Sequence, residues 1–380
     1  MLPFDQAEYD ARIARTRARM AEAGIDVLIV SNEASQYYLT GYDAVSAYVP
    51  QCVVLATDGV PEIILRSMDV ACARHTVWMD HNHIHEYAES FIGYPGRNGW
   101  DHIATLLESM GHGRRRIGYE GDSAEQIRTL EARLPNAKFV HVGELMNRVR
   151  GLKSDREIEY MQLAGQIADR AMQAGIDAIE PGVRECDVAA IISAAQVAGL
   201  PDAGGSRIHP MSMPSGKRTD SPHLIWTDKR YEHGDAVNIE LGGSHLRYVC
   251  GLTRSIHLGP PPDRLRALHS ATLEGMEAVF ALARPGVLCE EIEAVFRKTT
   301  TKYGFLKPSR IGYAIGIDWT ETWASLHAGD RTVLQPNMTF HLMLGMWEYE
   351  WGVALSEAFR ITPTGAESFS HLSRELFVKA

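Results

Sequence analysis

Acidic and histidine side chains that could exchange protons with a substrate stand inside strongly apolar stretches of the C-terminal half. Glu240 lies in AVNIELGG, His341 in MTFHLM and Glu357 in VALSEAF. Burying a charged group without a partner is costly, so each of these residues predicts either an ion pair or a chemical role. The structural alternative is an ion pair with a nearby guanidinium. The arginines available for it are Arg247, Arg254 and Arg360.

Two more segments add polar and aromatic groups to this set. The loop PSGKRTDSPHLIW brings His223 to the start of an apolar strand, where it either serves a site or hydrogen-bonds a backbone carbonyl. In RIGYAIGIDW two glycines bracket Tyr313, and the spacing matches no phosphate-binding loop. Four tryptophans also lie in this part of the chain, and packing in the core is the usual role of such residues. They are Trp319, Trp323, Trp347 and Trp351.

The elements that must hold these residues fall into two domains, with a boundary near residue 150. Up to that point short apolar runs alternate with helical periods, which is typical of a compact α/β domain. The predicted strands are residues 25–31, 51–57, 61–66, 115–120 and 138–142. The predicted helices are residues 8–24, 67–77, 100–111 and 123–134.

From residue 151 onward the pattern changes. A long amphipathic helix begins after Ser154, a predicted N-cap, and Glu157 completes a capping box with it. Long strands then surround one helical block at 262–303, which favours an α+β domain over 151–380. The predicted strands of this domain are residues 235–243, 245–259, 337–347 and 351–362.

The composition narrows the possible functions. Of the 380 residues, 45% are hydrophobic and 23% are charged, which is an ordinary globular mixture and argues against disorder. The formal charge of −10 disfavours nucleic acid and anionic membranes as partners, because both require a basic surface. Five scattered cysteines without a CxxC pair predict neither a disulfide framework nor a finger-type zinc site. We therefore expect a soluble protein of the reducing cytoplasm, without a signal peptide or membrane span.

The order of the C-terminal motifs resembles the pita-bread family of methionine aminopeptidase, prolidase, aminopeptidase P and creatinase. The motifs are GLKSDREIEYMQLAGQIAD, SPHL, IELGG with CGLTRS, GYAIGI, NMTFHLMLG and GVALSEAFRIT. SPHL is similar to the segment that carries the family's substrate-site histidine, here His223. The first 150 residues resemble the N-terminal domain of creatinase and prolidase. The resemblance implies an α/β creatinase-type domain at 1–150 followed by an α+β pita-bread domain at 151–380.

The resemblance also marks where this sequence departs from the peptidases of the family. Those enzymes hold two metal ions with two aspartates, one histidine and two glutamates. The positions that match these five ligands are Glu240, Gly251, Tyr313, Met343 and Ser356. A shift of one residue in register would put Glu357 in place of Ser356. So few oxygen ligands imply that the protein uses no metal and no other cofactor, and that it is not a metallopeptidase.

Within the family the sequence looks like creatinase and, more closely, like the ectoine hydrolases, which open a cyclic amidine. The motifs that carry the second likeness are YLTGYD, RIGYAIGI, LRYVCGLTRSIHLGPP and RTVLQPNMTFHLMLGMW. The resemblance implies metal-independent hydrolysis of such a ring. Because segments 44–50 and 249–251 differ from that subgroup, the implied substrate is ectoine or a relative of it. Two alternatives are a creatinase-like amidinohydrolase acting on an acyclic guanidino compound and a non-catalytic binding module.

For this substrate class we expect a division of roles among the residues. Glu240, with Glu357 beside it, would hold the planar cation through paired hydrogen bonds. Glu240 would then activate water or attack the amidine carbon itself, and His223 would carry a proton to the leaving nitrogen. His341 and Tyr313 would orient the substrate and stabilise developing charge. The predicted substrate-binding residues are Tyr313, Trp347, Trp319, Met343, Tyr48 and Tyr42.

Two-domain members of the family are usually homodimers in which the small domain of one subunit closes the active site of the other. The resemblance therefore implies a homodimer, and the candidates for reaching a neighbour's pocket are Tyr42, Asp43, Tyr48 and Arg66. The other expected partner is a small cationic amidine, with neither nucleic acid nor a membrane.

Overall fold

The computed structural model describes residues 2–121, 123–209 and 211–380. The chain divides into two compact units, Met1–Arg150 and Gly151–Ala380. Each unit has a main β-sheet of its own. Among the described residues, no helix is both long and apolar enough to cross a membrane.

The N-terminal unit contains a mixed six-stranded sheet among its described residues. Its strands are β1 (Val27–Val30), β2 (Cys52–Ala56), β3 (Glu62–Arg66), β4 (Ile84–Tyr87), β5 (Arg116–Tyr119) and β6 (Lys138–His141). They pair in the order β4-β3-β2-β1-β5-β6. Its helices are α1 (Gln6–Glu22), α2 (Glu33–Thr40), α3 (Val70–Thr76), α4 (Gly99–Ser109), α5 (Ala124–Arg133) and α6 (Leu145–Arg150). Ile29 of β1 packs with Ile103 and Leu107 of α4 in a buried core.

The strands and helices predicted for this unit are confirmed, and two further elements were not predicted. The first is α2, which begins after Asn32, whose side chain accepts hydrogen bonds from the backbone N–H groups of Ala34 and Ser35. Nearly every residue of α2 is buried, so it has no polar face and no amphipathic period to detect. The second is β4, a strand of four residues that pairs in parallel with β3.

The C-terminal unit combines four long helices with a larger sheet, within its described part. The helices are α7 (Asp155–Ala178), α8 (Glu185–Ala198), α9 (Asp263–Leu282) and α10 (Cys289–Thr301). The longer strands are β7 (Ala236–His245), β8 (Tyr248–Leu258), β10 (Glu321–Leu326), β11 (Thr339–Met343) and β14 (Ser356–Ile361). The shorter strands are β9 (Gly312–Ala314), β12 (Met346–Glu348), β13 (Trp351–Val353), β15 (Ala366–Ser368) and β16 (Phe377–Lys379). The main sheet has the order β10-β9-β11-β14-β8-β16, with β7 paired to β8.

The hairpin of β7 and β8 determines where Glu240 points. Ile239 and Leu241 of β7 pack in a buried core with residues of α7 and α8. Because successive side chains on a strand point to opposite faces, Glu240 points away from these helices. It lies opposite Thr253 of β8 in the antiparallel register. We call the side of the sheet that carries Glu240 the site face.

The same alternation positions the residues of β11. Phe340 and Leu342 pack in a second core together with residues of α9 and α10. His341, between them, therefore points to the site face. It lies opposite Tyr313 of β9, so the two side chains stand next to each other. The capping box predicted at the start of α7 is also confirmed, since Ser154 and Glu157 exchange hydrogen bonds there.

Candidate active site

A cavity of about 620 Å³ opens on the site face of the C-terminal unit. The predicted site residues on its wall are His223, Glu240, Tyr313, Trp319, Met343 and Trp347. The other residues on its wall are Met211, Ser212, Pro222, Ile225, Lys307, Ser309, Arg310 and Thr320. Most of the residues singled out from separate loops and strands thus meet in one place.

The Glu240 carboxylate faces this cavity without an ion-pair or hydrogen-bond partner among the described residues. Burial raises its pKa to about 7, and no nearby charge offsets that shift. A carboxyl group with this pKa occurs in both protonation states near neutral pH, which suits a general base. Unpaired, shifted carboxyl groups in clefts are characteristic of functional sites. Of the two interpretations of Glu240, the structure therefore favours the chemical role over an ion pair.

His223 lies at the exposed edge of the same cavity, in the segment that precedes β7. No hydrogen bond joins its ring to a backbone carbonyl among the described residues, so the structural alternative for this histidine has no support. Its position allows proton exchange with both the solvent and a bound ligand.

A row of hydrogen bonds begins on the cavity wall and fixes the side chain of Tyr313. The indole Nε1–H of Trp319 donates to the phenol oxygen of Tyr313 at 2.9 Å. The phenol oxygen lies 3.1 Å from Nδ1 of His341. Burial, together with the nearby charge of Glu240, raises the pKa of Tyr313 to about 12, so the phenol keeps its proton. Since the phenol accepts from Trp319, its own proton is available for Nδ1 of His341.

The row continues from His341 into the sheet. Nε2 of His341 lies 2.8 Å from Oγ of Ser356, and this hydroxyl donates to Oγ1 of Thr253 at 2.8 Å. Thr253 in turn donates to the sulfur of Met343 at 3.7 Å. The indole N–H of Trp319 can only donate and the thioether of Met343 can only accept. Each hydrogen bond in the row is therefore donated in the direction from Trp319 to Met343. His341 is consequently neutral, with its proton on Nε2, and burial lowers its pKa to about 3.

The imidazole of His341 fills space that a side chain at position 251 would need. A Cβ atom built on Gly251 would lie 2.7 Å from Cε1 and 2.9 Å from Nε2 of the ring. Such distances are too short for real contacts, and the ring is held by hydrogen bonds at both nitrogens. Gly251 is therefore the residue that makes room for His341.

Gly251→Ala is expected to lower the free energy of unfolding by about 1–3 kcal/mol, the usual range for overpacking a core. Urea denaturation measures the change. Gly204→Ala is the matched control, because a Cβ atom at Gly204 meets nothing within 4 Å. Unchanged stability in Gly251→Ala, or equal losses in both variants, would contradict the tight contact with His341.

The residues at the five family metal-ligand positions do not fit a dinuclear metal centre. They supply one carboxylate, one phenol, one thioether, one hydroxyl and, at Gly251, no side chain. Bridged divalent ions require several carboxylate or imidazole ligands. Among the described residues, no group of three or more histidine, cysteine or acidic side chains is arranged to hold a metal ion. At Gly251 the ring of His341 also fills the space that a ligand side chain would need.

Two cations on the cavity wall were missed by the sequence analysis. Lys307 and Arg310 lie in the segment between α10 and β9, whose sequence FLKPSR has no strand or helix period. Lys307 is only 2% exposed, and its Nζ donates to the carbonyl oxygen of Gly345 at 2.6 Å. Nζ also lies 4.9 Å from the ring centroid of Trp347. The wall thus carries one carboxylate and two basic side chains, rather than the purely acidic surface that a cationic substrate alone would favour.

The tryptophans divide into two groups. Trp319 and Trp347 line the cavity, as predicted for substrate-binding residues. Trp323 lies in the core that includes α9 and α10, and Trp351 packs against that core. Packing, the usual role of tryptophan, therefore applies to the second pair only.

Glu357 was wrongly placed among the catalytic residues. It follows Ser356 on β14, and Ser356 already points to the site face, so Glu357 points to the opposite face. There its carboxylate forms an ion pair with Arg254 at 2.6 Å, with both side chains wholly buried. Arg374 approaches the same carboxylate at 3.1 Å, and Ser368 donates a hydrogen bond to it. The structural alternative, an ion pair with Arg254, is confirmed for this residue.

The two tyrosines of the N-terminal unit have different surroundings. Tyr42 is 2% exposed and its hydroxyl is hydrogen-bonded to Ser46 at 2.7 Å, so it is a core residue of its own unit. The prediction that Tyr42 reaches a neighbour's pocket is therefore wrong. Tyr48 is 73% exposed and accepts a hydrogen bond from Arg66 at 2.6 Å. Its role at a neighbour's pocket stays a prediction.

An α/β domain followed by a helix-covered sheet with an internal cavity defines the two-domain creatinase and prolidase class. The chain belongs to metallopeptidase family M24, whose sequence model matches residues 159–363. The creatinase/prolidase N-terminal domain matches residues 12–152. The predicted fold class and family are both confirmed.

Individual relatives refine this assignment. The chain is 40% identical to the uncharacterized hydrolase/peptidase y4tL of Sinorhizobium fredii, over 99% of this chain and 97% of that protein. It is 36% identical to the ectoine hydrolase of Halomonas elongata, over 100% and 99% of the two chains. The crystal structure of dipeptidase PepE from Mycobacterium ulcerans shares the fold, with a TM-score of 0.84, 24% identity and 99% coverage of both chains. The protein is thus a member of a hydrolase family.

Proposed function

We propose that the protein is a metal-independent hydrolase that opens a cyclic amidine, with ectoine or a close relative as substrate. The observation that carries the proposal is the Glu240 carboxylate, which lies on the cavity wall without an ion-pair or hydrogen-bond partner among the described residues. The buried ring of His341 fills the space that a side chain at Gly251, a metal-ligand position of the family, would need. The full-length similarity to an ectoine hydrolase supports the substrate class.

The chemistry of an amidinium matches the cavity. Its two N–H donors lie in one plane and complement the two oxygens of a carboxylate such as Glu240. Trp319 lies on the same wall, and aromatic rings attract a delocalised cation through their faces. In a dry site this cation–π attraction contributes about 2 kcal/mol. The arrangement therefore favours binding of an amidinium over binding of a neutral peptide bond.

Hydrolysis at this site adds water across a C–N bond. A water oxygen bonds to the amidine carbon while its proton passes to Glu240. The ring C–N bond then breaks with its electron pair going to nitrogen, which takes the Glu240 proton through His223. The hydroxyl proton is released as the amide carbonyl forms, so the products are an amide and a protonated amine. Attack on an amidinium neutralises its positive charge and forms no oxyanion. The step therefore needs no oxyanion hole. Alternatively, a Glu240 oxygen bonds to the amidine carbon first, and the ring C–N bond breaks with its electron pair going to nitrogen, which takes a proton through His223. Water then attacks the glutamyl carbonyl carbon, which releases the amide with the carboxylate oxygen and regenerates Glu240.

The experiment that tests the function compares substrates with and without a chelator. Purified protein is incubated with ectoine, hydroxyectoine, creatine and Xaa-Pro dipeptides, before and after treatment with EDTA. We expect an acetylated diamino acid from the cyclic amidines and equal rates in both conditions. Urea from creatine would support an acyclic guanidino substrate instead. Dipeptide cleavage, or activity restored only by Mn²⁺ or Co²⁺, would contradict the proposal.

A second measurement distinguishes the two roles of Glu240. A single turnover is run in water labelled with heavy oxygen, and the amide product is analysed by mass spectrometry. Label in the product after the first turnover supports Glu240 as the base. An unlabelled first product supports attack by a Glu240 oxygen, because the oxygen transferred then comes from the carboxylate.

The pH profile is a further prediction from the state of Glu240. Because its pKa is raised to about 7 in the free protein, kcat/KM on a cyclic amidine is expected to fall about tenfold per pH unit below that value, as the base becomes protonated. The amidinium and the neutral His341 do not titrate in this range, so they add no step. Initial rates at low substrate concentration in overlapping buffers measure the profile, and a constant kcat/KM down to about pH 5 would contradict the assignment.

We also propose a cytoplasmic homodimer. Among the described residues the five cysteines are free thiols, which supports a reducing compartment. Val45 and Tyr48 are strongly exposed on the N-terminal unit, and such side chains suit a subunit interface. Light scattering on the purified protein tests the dimer, and a monomer at all concentrations would contradict it.

A further inference from the structure

The ammonium group of Lys307 is unusual because it is buried at the cavity wall without a carboxylate. Lys307 is 2% exposed, yet the described residues provide no acidic side chain in ion-pair contact with it. The one side-chain hydrogen bond that Lys307 makes to the described residues, with the carbonyl of Gly345, uses one of its three N–H donors. Burial and the charge of Arg297 lower its pKa to about 8, so near neutral pH the group is still mostly charged. A buried, charged donor without a counterion is costly unless a ligand supplies one.

The surroundings hold Lys307 in this position. Its carbonyl partner, Gly345, lies beneath the indole of Trp347, because a Cβ atom at Gly345 would overlap that ring. Nζ is 4.9 Å from the ring centroid of the same tryptophan. The ammonium is thus fixed between a carbonyl and an aromatic face, and both Lys307 and Trp347 lie on the cavity wall.

Arg310 adds a second cation to the same wall. Its guanidinium carbon lies 4.5 Å from the ring centroid of Tyr313, and its one side-chain hydrogen bond among the described residues is a long one, 3.4 Å, to Ser325. It is exposed and has no carboxylate partner among the described residues. Guanidinium groups bind carboxylates through two parallel hydrogen bonds.

The cavity therefore has opposite charges at separate places on one wall. Glu240 has no cationic partner, and neither Lys307 nor Arg310 has an acidic one among the described residues. If the three groups served only the fold, they would be expected to pair with one another. Instead all three lie on the cavity wall with hydrogen-bonding capacity left for a ligand.

We propose that Lys307 and Arg310 form a subsite for a carboxylate of the substrate, so that the enzyme selects a zwitterion with an amidinium at Glu240 and a carboxylate at Lys307. The proposal rests on the proposed function, because it assigns the amidinium to Glu240. Ectoine, a cyclic amidine with one carboxylate on its ring, has this pattern of charges.

Two substrates that differ only in the carboxylate distinguish the subsite at Lys307 and Arg310 from the amidinium site at Glu240. Wild type, Lys307→Met and Arg310→Gln are assayed with ectoine and with the same ring lacking the carboxylate. We expect Lys307→Met to raise KM for ectoine about 10- to 100-fold, the range for a lost hydrogen bond between charged groups. KM for the ring without the carboxylate should change less than about twofold in each variant, since it makes no such bond. Arg310→Gln should show the same selectivity with a smaller loss, because its guanidinium is exposed.

Lys302→Met is the matched control, since Lys302 lies just beyond α10 and pairs with Glu274 at 3.7 Å. It should leave KM for both rings unchanged. Thermal denaturation checks that each variant is folded. Equal losses on both rings in Lys307→Met, or no loss on ectoine, would overturn the subsite.

A failure of the proposed function gives a different result from a failure of the carboxylate subsite. If wild type hydrolyses neither ring, the amidine assignment is wrong, and calorimetric titration with propionate then tests the subsite alone. Binding of propionate by wild type that is lost in Lys307→Met supports the carboxylate subsite. No binding by wild type overturns it.

Discussion

Glu240→Gln is expected to lower kcat on a cyclic amidine by at least about a hundredfold, the low end for loss of a general base. The amide keeps the shape of the side chain and still accepts a hydrogen bond from the substrate, but it neither takes a proton from water nor attacks carbon. Initial rates at neutral pH measure the effect. Because the defect lies in the chemical step, kcat should change more than KM.

The same variant is expected to be more stable than wild type at alkaline pH. The pKa of Glu240 is about 7 in the folded protein and lower in the unfolded chain, so folding favours its protonated form. Its stabilising contribution is complete below the unfolded pKa and is lost as the pH rises through about 7. Replacing it by neutral glutamine should therefore raise the free energy of unfolding above pH 7, by up to about 3 kcal/mol, and change little below pH 4.

Loss of activity together with a gain of stability distinguishes a catalytic glutamate from a structural one. Glu367→Gln is the matched control, because Glu367 forms a partly exposed pair with Arg360 on β15 and β14. That variant should keep wild-type activity and lose less than about 1 kcal/mol. Near-normal turnover in Glu240→Gln, or a loss of stability at pH 8, would reject the assignment of Glu240 as the reacting carboxylate.

Glu357→Gln is expected to lower the free energy of unfolding by about 3–5 kcal/mol, the range for a buried ion pair that loses one partner. The change leaves the guanidinium of Arg254 buried without its counterion and weakens the contact with Arg374. Denaturation in urea measures the loss. In conditions where the variant is folded, kcat should stay within a few fold of wild type, because Glu357 points away from the cavity.

Glu367→Gln is the matched control for this loss as well. It removes one partner of the partly exposed pair with Arg360 and should lower the free energy of unfolding by less than about 1 kcal/mol. In Glu357→Gln, a drop in kcat near that of Glu240→Gln, with stability unchanged, would return Glu357 to the catalytic residues.

Much of the fold could be predicted because its elements have simple local patterns. The buried run at 25–31 and the capping box at Ser154 are properties of a few neighbouring residues, and both were found in the structure. The helix α2 could not be found this way, because it is buried nearly all round and has no polar face. Its existence depends on the elements that cover it.

The candidate site was predicted where a polar residue stands alone in an apolar strand. Glu240 and His341 are such residues, and alternation alone places them on the face opposite their apolar neighbours. Glu357 shows the limit of that reasoning, since its sequence neighbours resemble those of Glu240 while its strand register turns it the other way. Lys307 lies in a loop, where burial depends on contacts with Trp347 and Gly345 that no local pattern encodes.

The contact between Gly251 and His341 also restricts how this sequence can evolve. An acidic side chain at position 251 would collide with the imidazole, so that mutation alone is penalised in the present background. Removal of the His341 ring relieves the collision, but it breaks the hydrogen bonds to Tyr313 and Ser356. An acidic residue at position 251 thus requires at least two mutations, each of them harmful when it occurs alone. Such sign epistasis makes an acidic side chain at this position hard to acquire.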